Sequence, residues 1–97
     1  MQIWVEPPAH KEIKLLPAHV QQRIKKIIKT LSSEPRPHNS RQLATDPSPH
    51  LEMRRIRLDN WRIIYVIDVA WDIITILAIR KRPPYDYEDL PEFLERL

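Results

Sequence analysis

The stretch Arg54-Arg55-Ile56-Arg57-Leu58-Asp59-Asn60-Trp61-Arg62-Ile63-Ile64-Tyr65 decides how this chain folds. Two runs rich in β-branched and aromatic residues flank Asp59-Asn60, which predicts strands over residues 52–58 and 61–68 joined by a two-residue hairpin turn. The chain has no glycine, so positions that need positive φ must be filled by Asn or Asp, which tolerate it best. Such a turn sets the register: Leu58 faces Trp61, Arg57 faces Arg62, Ile56 faces Ile63 and Arg54 faces Tyr65. Alternation then places Arg55, Arg57 and Arg62 on one face of the sheet, with Arg57 and Arg62 directly opposed.

Working outward, residues 72–80 form a third strand candidate, and residues 2–6 alternate Ile3 and Val5 with polar neighbours as a fourth. Pro7-Pro8 ends that first strand and can open a helix through Ala9, Ile13 and Leu16, which Pro17 stops. Val20, Ile24, Ile27, Ile28 and Leu31 then recur along one face of a longer helix, with Arg23, Lys25, Lys26 and Lys29 on the other. Residues 32–50, with Pro35, Pro37, Pro47 and Pro49, read as a loop, long enough to suggest a functional one. Leu90, Phe93, Leu94 and Leu97 predict a short amphipathic helix over residues 87–97. The expected fold is α+β, in the order β-α-α-β-β-β-α. A helical pair packs on a mainly antiparallel four-stranded sheet, in one domain over residues 1–97.

Composition narrows the function. The chain has no cysteine, so disulfides and thiolate metal sites are out, and a reducing compartment fits. The opening Met-Gln-Ile-Trp-Val has no basic leader, and residues 73–79 are too few to span a bilayer, so neither secretion nor membrane insertion is expected. Residues 1–50 carry eight Lys/Arg and four Asp/Glu, residues 51–82 seven and four, and residues 83–97 one and five. A basic body of this kind suits a polyanionic partner, although a merely solvated basic surface has the same composition.

The chemistry concentrates in the arginines. Directly opposed like charges destabilise a strand pair, so folding alone gives no reason for Arg57 to face Arg62. Guanidiniums on one sheet face offer forked donors for phosphate oxygens. Arg80, Lys81 and Arg82 end the last strand and could close the same site, and Tyr85 and Tyr87 follow, able to stack on a base or pass a proton. The bland alternative has these arginines cap an exposed sheet and pair with Glu52, Asp68 or Asp86; for Arg54 and Arg80 it is the better account. His10, His19, His38 and His50 lack paired ligand spacing, so no metal is expected. The serines have no recognisable base beside them.

Leu16-Pro17 with Val20, Arg23-Ile24, Ile28, Leu31 and Pro35 is similar to the helical hairpin of RelE/ParE toxins. Arg55-Ile56-Arg57-Leu58 and Trp61-Arg62-Ile63-Ile64-Tyr65 resemble the family's basic strand and its aromatic-Arg-apolar-apolar-Tyr strand, and residues 76–82 its final strand with a basic end. The resemblance covers nearly the whole chain. It implies a microbial-ribonuclease-like fold and a toxin of a type II toxin–antitoxin system in a prokaryotic cytoplasm, held inactive by a cognate antitoxin. RelE-like members cut messenger RNA on the ribosome without metal or cofactor, leaving a 2′,3′-cyclic phosphate. Within the resemblance, Arg55 and Arg57 match basic residues that are lysines in the best-known members, and Arg62 matches the arginine on the scissile phosphate. Arg82 matches the arginine that stabilises charge or protonates the leaving oxygen, and the family's tyrosine falls on Tyr85 or Tyr87. Arg54 and Arg80 would add RNA contacts. Three departures stand out: the hairpin turn is shorter, Pro83-Pro84 replaces polar residues, and arginine cannot serve as a base. The base would then be a tyrosine, Lys81, His50, or a group of the RNA and ribosome. ParE-like toxins share the fold but poison DNA gyrase, and a non-catalytic RNA- or partner-binding module of the same fold is the third possibility. An acidic antitoxin segment is expected to dock on the basic sheet face and on the apolar side of the C-terminal helix.

Overall fold

Pro7 and Pro8 do end the first strand and open the first helix, because proline at the first helical positions gives up no hydrogen bond the helix needs. The computed structural model describes residues 1–43 and 49–81. In chain order the elements are β1 (Gln2–Val5), α1 (Pro7–Lys14), α2 (Ala18–Leu31), β2 (Ser40–Gln42), β3 (Leu51–Leu58), β4 (Trp61–Asp68) and β5 (Ile73–Lys81). Pro17 separates the helices, and the Gln21 side chain donates to the carbonyls of Leu16 (2.7 Å) and Lys14 (3.2 Å), satisfying acceptors that the end of α1 leaves open.

The strands form one sheet in the order β1-β5-β4-β3-β2, parallel only between β1 and β5. The α+β class stands, but the sheet has five strands where the sequence predicted four. The extra strand is β2, inside the segment read as a loop. Ser40-Arg41-Gln42 is short and polar and carries no periodicity, so only its pairing with β3 makes it a strand. The helix expected over residues 87–97 lies outside the described residues. Among the described residues no helix is long and apolar enough to cross a membrane.

Both helices cover one face of the sheet. Ile13, Val20, Ile24, Ile28 and Leu31 meet Ile56, Leu58, Ile63, Tyr65, Ile67, Ile74, Ile76 and Ile79 there in one buried cluster. Lys25, Lys26 and Lys29 of α2 stay exposed, and Arg23 reaches Asp59 in the hairpin turn at 2.6 Å. The buried Tyr65 donates its hydroxyl to the Pro35 carbonyl at 2.7 Å, tying the segment after α2 to the sheet; burial pushes that phenol's pKa up. The Tyr that ends the Trp61–Tyr65 motif therefore has an architectural task. The second face holds a smaller cluster, Met53, Ile64, Val66, Leu77 and Ala78. Burial on both faces explains why residues 63–67 run apolar without alternation.

Candidate functional site

The hairpin turn forms as the sequence predicts, with Asp59 at φ 54°. The register follows: Leu58 opposite Trp61, Arg57 opposite Arg62, Ile56 opposite Ile63 and Arg54 opposite Tyr65. The next strand extends the row, since Arg62 also faces Arg80 of β5. Arg57, Arg62 and Arg80 thus stand side by side on three neighbouring strands, with backbones spanning ~10 Å at the usual strand spacing.

Arg80 owes its place to an irregularity. Ile76 faces Tyr65 and Ala78 faces Ile64, leaving Leu77 as an extra residue in β5. Such a bulge shifts the alternation by one. Without it, Arg80 would share the helix-side face with Ile74 and Ile76; with it, Arg80 joins Arg62. The Glu12 carboxylate accepts the Ile79 N–H at 3.1 Å just beyond this break.

Arg55 lies on the same face, two pairs further along, opposite Ile64. Arg41 faces Arg55 from β2 and brings a fifth guanidinium to that face. Sequence reasoning missed Arg41, and the only signal was a cation inside a polar segment. Arg55 and Arg62 are buried, Arg80 is half-buried, and Arg41 and Arg57 are exposed. A phosphate would meet the row first at Arg57. What these side chains share is permanent positive charge and paired N–H donors, suited to a polyanion's oxygens and unable to abstract a proton.

Other candidates are not brought together with the row. Arg54 lies on the opposite face, beside Tyr65, where it binds the Glu52 carboxylate at 2.7 Å and the Ser40 hydroxyl at 3.0 Å. This is the ion-pair alternative raised for Arg54. Lys81 faces Trp61, on the helix side of the sheet. His50 precedes β3 at the far end from the hairpin, its carbonyl accepting the Val69 N–H; at strand rise it is roughly 20 Å from Arg57. That distance removes His50 from the arginine row. Arg82, Tyr85 and Tyr87 lie outside the described residues.

The Arg36–Glu52–Arg54 group gives a pH-dependent prediction about stability. Partial burial alone would raise the Glu52 pKa, but hydrogen bonds and charge from Arg36 and Arg54 outweigh it and hold the carboxyl below its ordinary value of 4.5. A folded-state pKa below the unfolded one gives stability that is present above the unfolded value and lost as pH falls through the folded one. Glu52→Gln should therefore lower the melting temperature near neutrality by a stability increment of about 1 kcal/mol, discounted for the half-exposed Arg36. The gap between variant and wild type should close in melts run at progressively lower pH, as the pH falls through the lowered folded-state value of Glu52. A gap independent of pH would assign the effect to packing.

Comparison with known proteins places this geometry. The family model described as the ParE toxin of type II toxin–antitoxin systems matches residues 3–83. No curated protein matches the sequence. Among solved structures, the archaeal RelE of a RelE–RelB complex from Pyrococcus horikoshii OT3 superposes with a TM-score of 0.77 at 23% identity, covering 87% of this chain and 97% of that one. The RelBE2 toxin–antitoxin complex of Mycobacterium tuberculosis gives 0.68 at 20% identity, covering 84% and 96%. The isolated E. coli RelE toxin gives 0.65 at 19% identity, covering 98% and 96%. At such identities the structures establish the fold, and the family model extends over most of the chain. The chain belongs to the ParE toxin family of type II toxin–antitoxin systems, within the RelE/ParE superfamily.

Proposed function

We propose that this toxin is an endoribonuclease that cuts messenger RNA, on the ribosome, in a prokaryotic cytoplasm. The observation that carries the proposal is the row Arg57–Arg62–Arg80 across three strands. Three forked guanidiniums on neighbouring strands offer several N–H donors and concentrated positive charge to the oxygens of one phosphate. In the proposed reaction the ribose 2′-oxygen attacks its own 3′-phosphorus, and the bond to the next nucleotide's 5′-oxygen breaks. The products are a 2′,3′-cyclic phosphate and a free 5′-hydroxyl. Arg62, flanked by Arg57 and Arg80, holds the phosphate and stabilises the charge that grows on its oxygens in the phosphorane, often the largest catalytic contribution. Arg55 and Arg41 hold the adjoining backbone. The proton leaving the 2′-hydroxyl and the proton reaching the 5′-oxygen pass through groups other than these arginines. Arg82 with Tyr85 or Tyr87 remains the proposed acid–base set, and neither a metal nor a cofactor is required.

A neutralising antitoxin is the expected partner, as the RelE–RelB complexes illustrate for similar folds. The family model favours a second reading, because its description is that of ParE. In that reading the toxin poisons DNA gyrase, and the arginine row serves only to bind.

The chemistry is tested on an RNA fragment cut by the purified toxin in the presence of ribosomes. New ends should be 2′,3′-cyclic phosphate and 5′-hydroxyl, and a single 2′-deoxy substitution at the cut position should abolish cleavage there. Cleavage that survives the 2′-deoxy substitution would rule out attack by the 2′-oxygen.

A further inference from the structure

The sheet order starts at β1, so no described strand covers the outer side of that strand. Gln2 and Glu6 donate their N–H groups toward β5, to Asp72 and Ile76. Alternation along a strand then directs the N–H and C=O of Ile3 and Val5 outward, where no described strand pairs with them. A depression flanks this edge on each face of the sheet. On the helix side, a groove of about 400 Å³ runs between Ile3, Val5, Ile13 and Ile28, with Lys25 and Lys29 at its rim. On the other side, a cleft of about 370 Å³ is lined by Trp4, Trp71, Glu6, Asp68 and Thr75, among other described residues. Trp4 is 58% exposed and Trp71 75%, unusual for the largest apolar side chain unless a partner covers it.

The two depressions differ in charge. The described lining of the tryptophan cleft includes two carboxylates and no lysine or arginine, on a chain whose net charge is +3. Indole faces and carboxylates together suit a cationic side chain. The helix-side groove is apolar and rimmed by cations, so it excludes a basic side chain and accepts an aliphatic one. In an added strand, successive side chains fall on opposite faces. One extended segment therefore meets both depressions at once.

We infer that the β1 edge is a strand-addition site for an extended segment of a partner protein in which basic residues alternate with aliphatic ones. The basic side chains enter the Trp4–Trp71 cleft, the aliphatic ones enter the Ile3–Val5 groove, and Ile3 and Val5 supply backbone pairing. This surface is separate from the arginine row and does not depend on the ribonuclease reading.

The test titrates the full-length protein with two capped seven-residue peptides, one alternating Val with Arg and one alternating Val with Glu, followed by calorimetry. The Val/Arg peptide should bind at least about tenfold more tightly than the Val/Glu peptide, and Trp71→Ala or Glu6→Gln should each weaken it by about fivefold or more. Arg57→Gln should leave its binding unchanged. Equal binding of both peptides, no binding up to millimolar concentration, or indifference to Trp71→Ala and Glu6→Gln would overturn the inference. So would self-association of the chain that is lost in Trp71→Ala, which would give the edge to a second copy.

Discussion

Arg62→Gln is expected to slow message cleavage by about 100- to 1000-fold while leaving a folded protein. Loss of one preorganised donor to a charged transition state costs roughly 3–4 kcal/mol, which is that factor in rate. Arg62 stands in the middle of the row, so its removal also separates Arg57 from Arg80. The effect on the fold has two opposing parts. Relief of like-charge opposition returns roughly 0.2–1 kcal/mol per cross-strand pair. Against this, Arg62 is buried and its guanidinium has a partner within the fold, so the shorter glutamine loses that interaction as well as some packing of the aliphatic stem. The melting temperature should therefore fall modestly, with the protein still folded. Arg57 separates the two parts because it is exposed: Arg57→Gln should leave stability unchanged or slightly raised and still reduce cleavage. The measurement pairs thermal melting of the free toxin with its cleavage rate. Unfolding of Arg62→Gln would make Arg62 a structural ion-pair residue, and full activity with a normal melt would remove its guanidinium from the mechanism.

The hairpin was legible because everything that fixes it is local. Asp59-Asn60 is the turn chemistry left to a glycine-free chain, and period-two alternation carries the register outward from it. The helical pair was legible for the same reason, through the spacing of Val20, Ile24, Ile28 and Leu31 and the stop at Pro17. What the sequence hid depends on partners distant in the chain. Strand β2 exists through its pairing with β3, so Arg41 had no visible reason to join Arg55. The bulge at Leu77 is a mismatch between two strands, and no property of residues 73–81 alone announces that Arg80 changes face there. Arg54 differs from Arg55 only by parity, which strand alternation does encode. The same alternation puts Glu52, two residues earlier, on the face of Arg54, where the two form an ion pair.

Expression of the toxin without its antitoxin is expected to stop growth, and the cause of the arrest discriminates the branches of the family. The family model bears the ParE description, while the solved folds it superposes on include RelE toxins. Fold alone does not choose between them, since one scaffold hosts different sites. The choice rests on the arginine row, which a nuclease uses at the moment of bond cleavage and a gyrase poison has no chemical need to maintain. Arrest by RNA cleavage should appear as new message ends inside coding regions within minutes, with chromosomal DNA intact. It should also fade in Arg62→Gln in step with the cleavage rate.

The most direct measurement is a map of RNA 5′ ends alongside an assay for covalent gyrase–DNA breaks, both taken just after induction of the wild-type toxin and of Arg62→Gln. The account predicts new 5′-hydroxyl ends within open reading frames for the wild type, a loss of about 100-fold or more of those ends in Arg62→Gln, and no rise in gyrase–DNA breaks. Arrest with intact messages and accumulated gyrase–DNA breaks would contradict it and establish the chain as a gyrase poison.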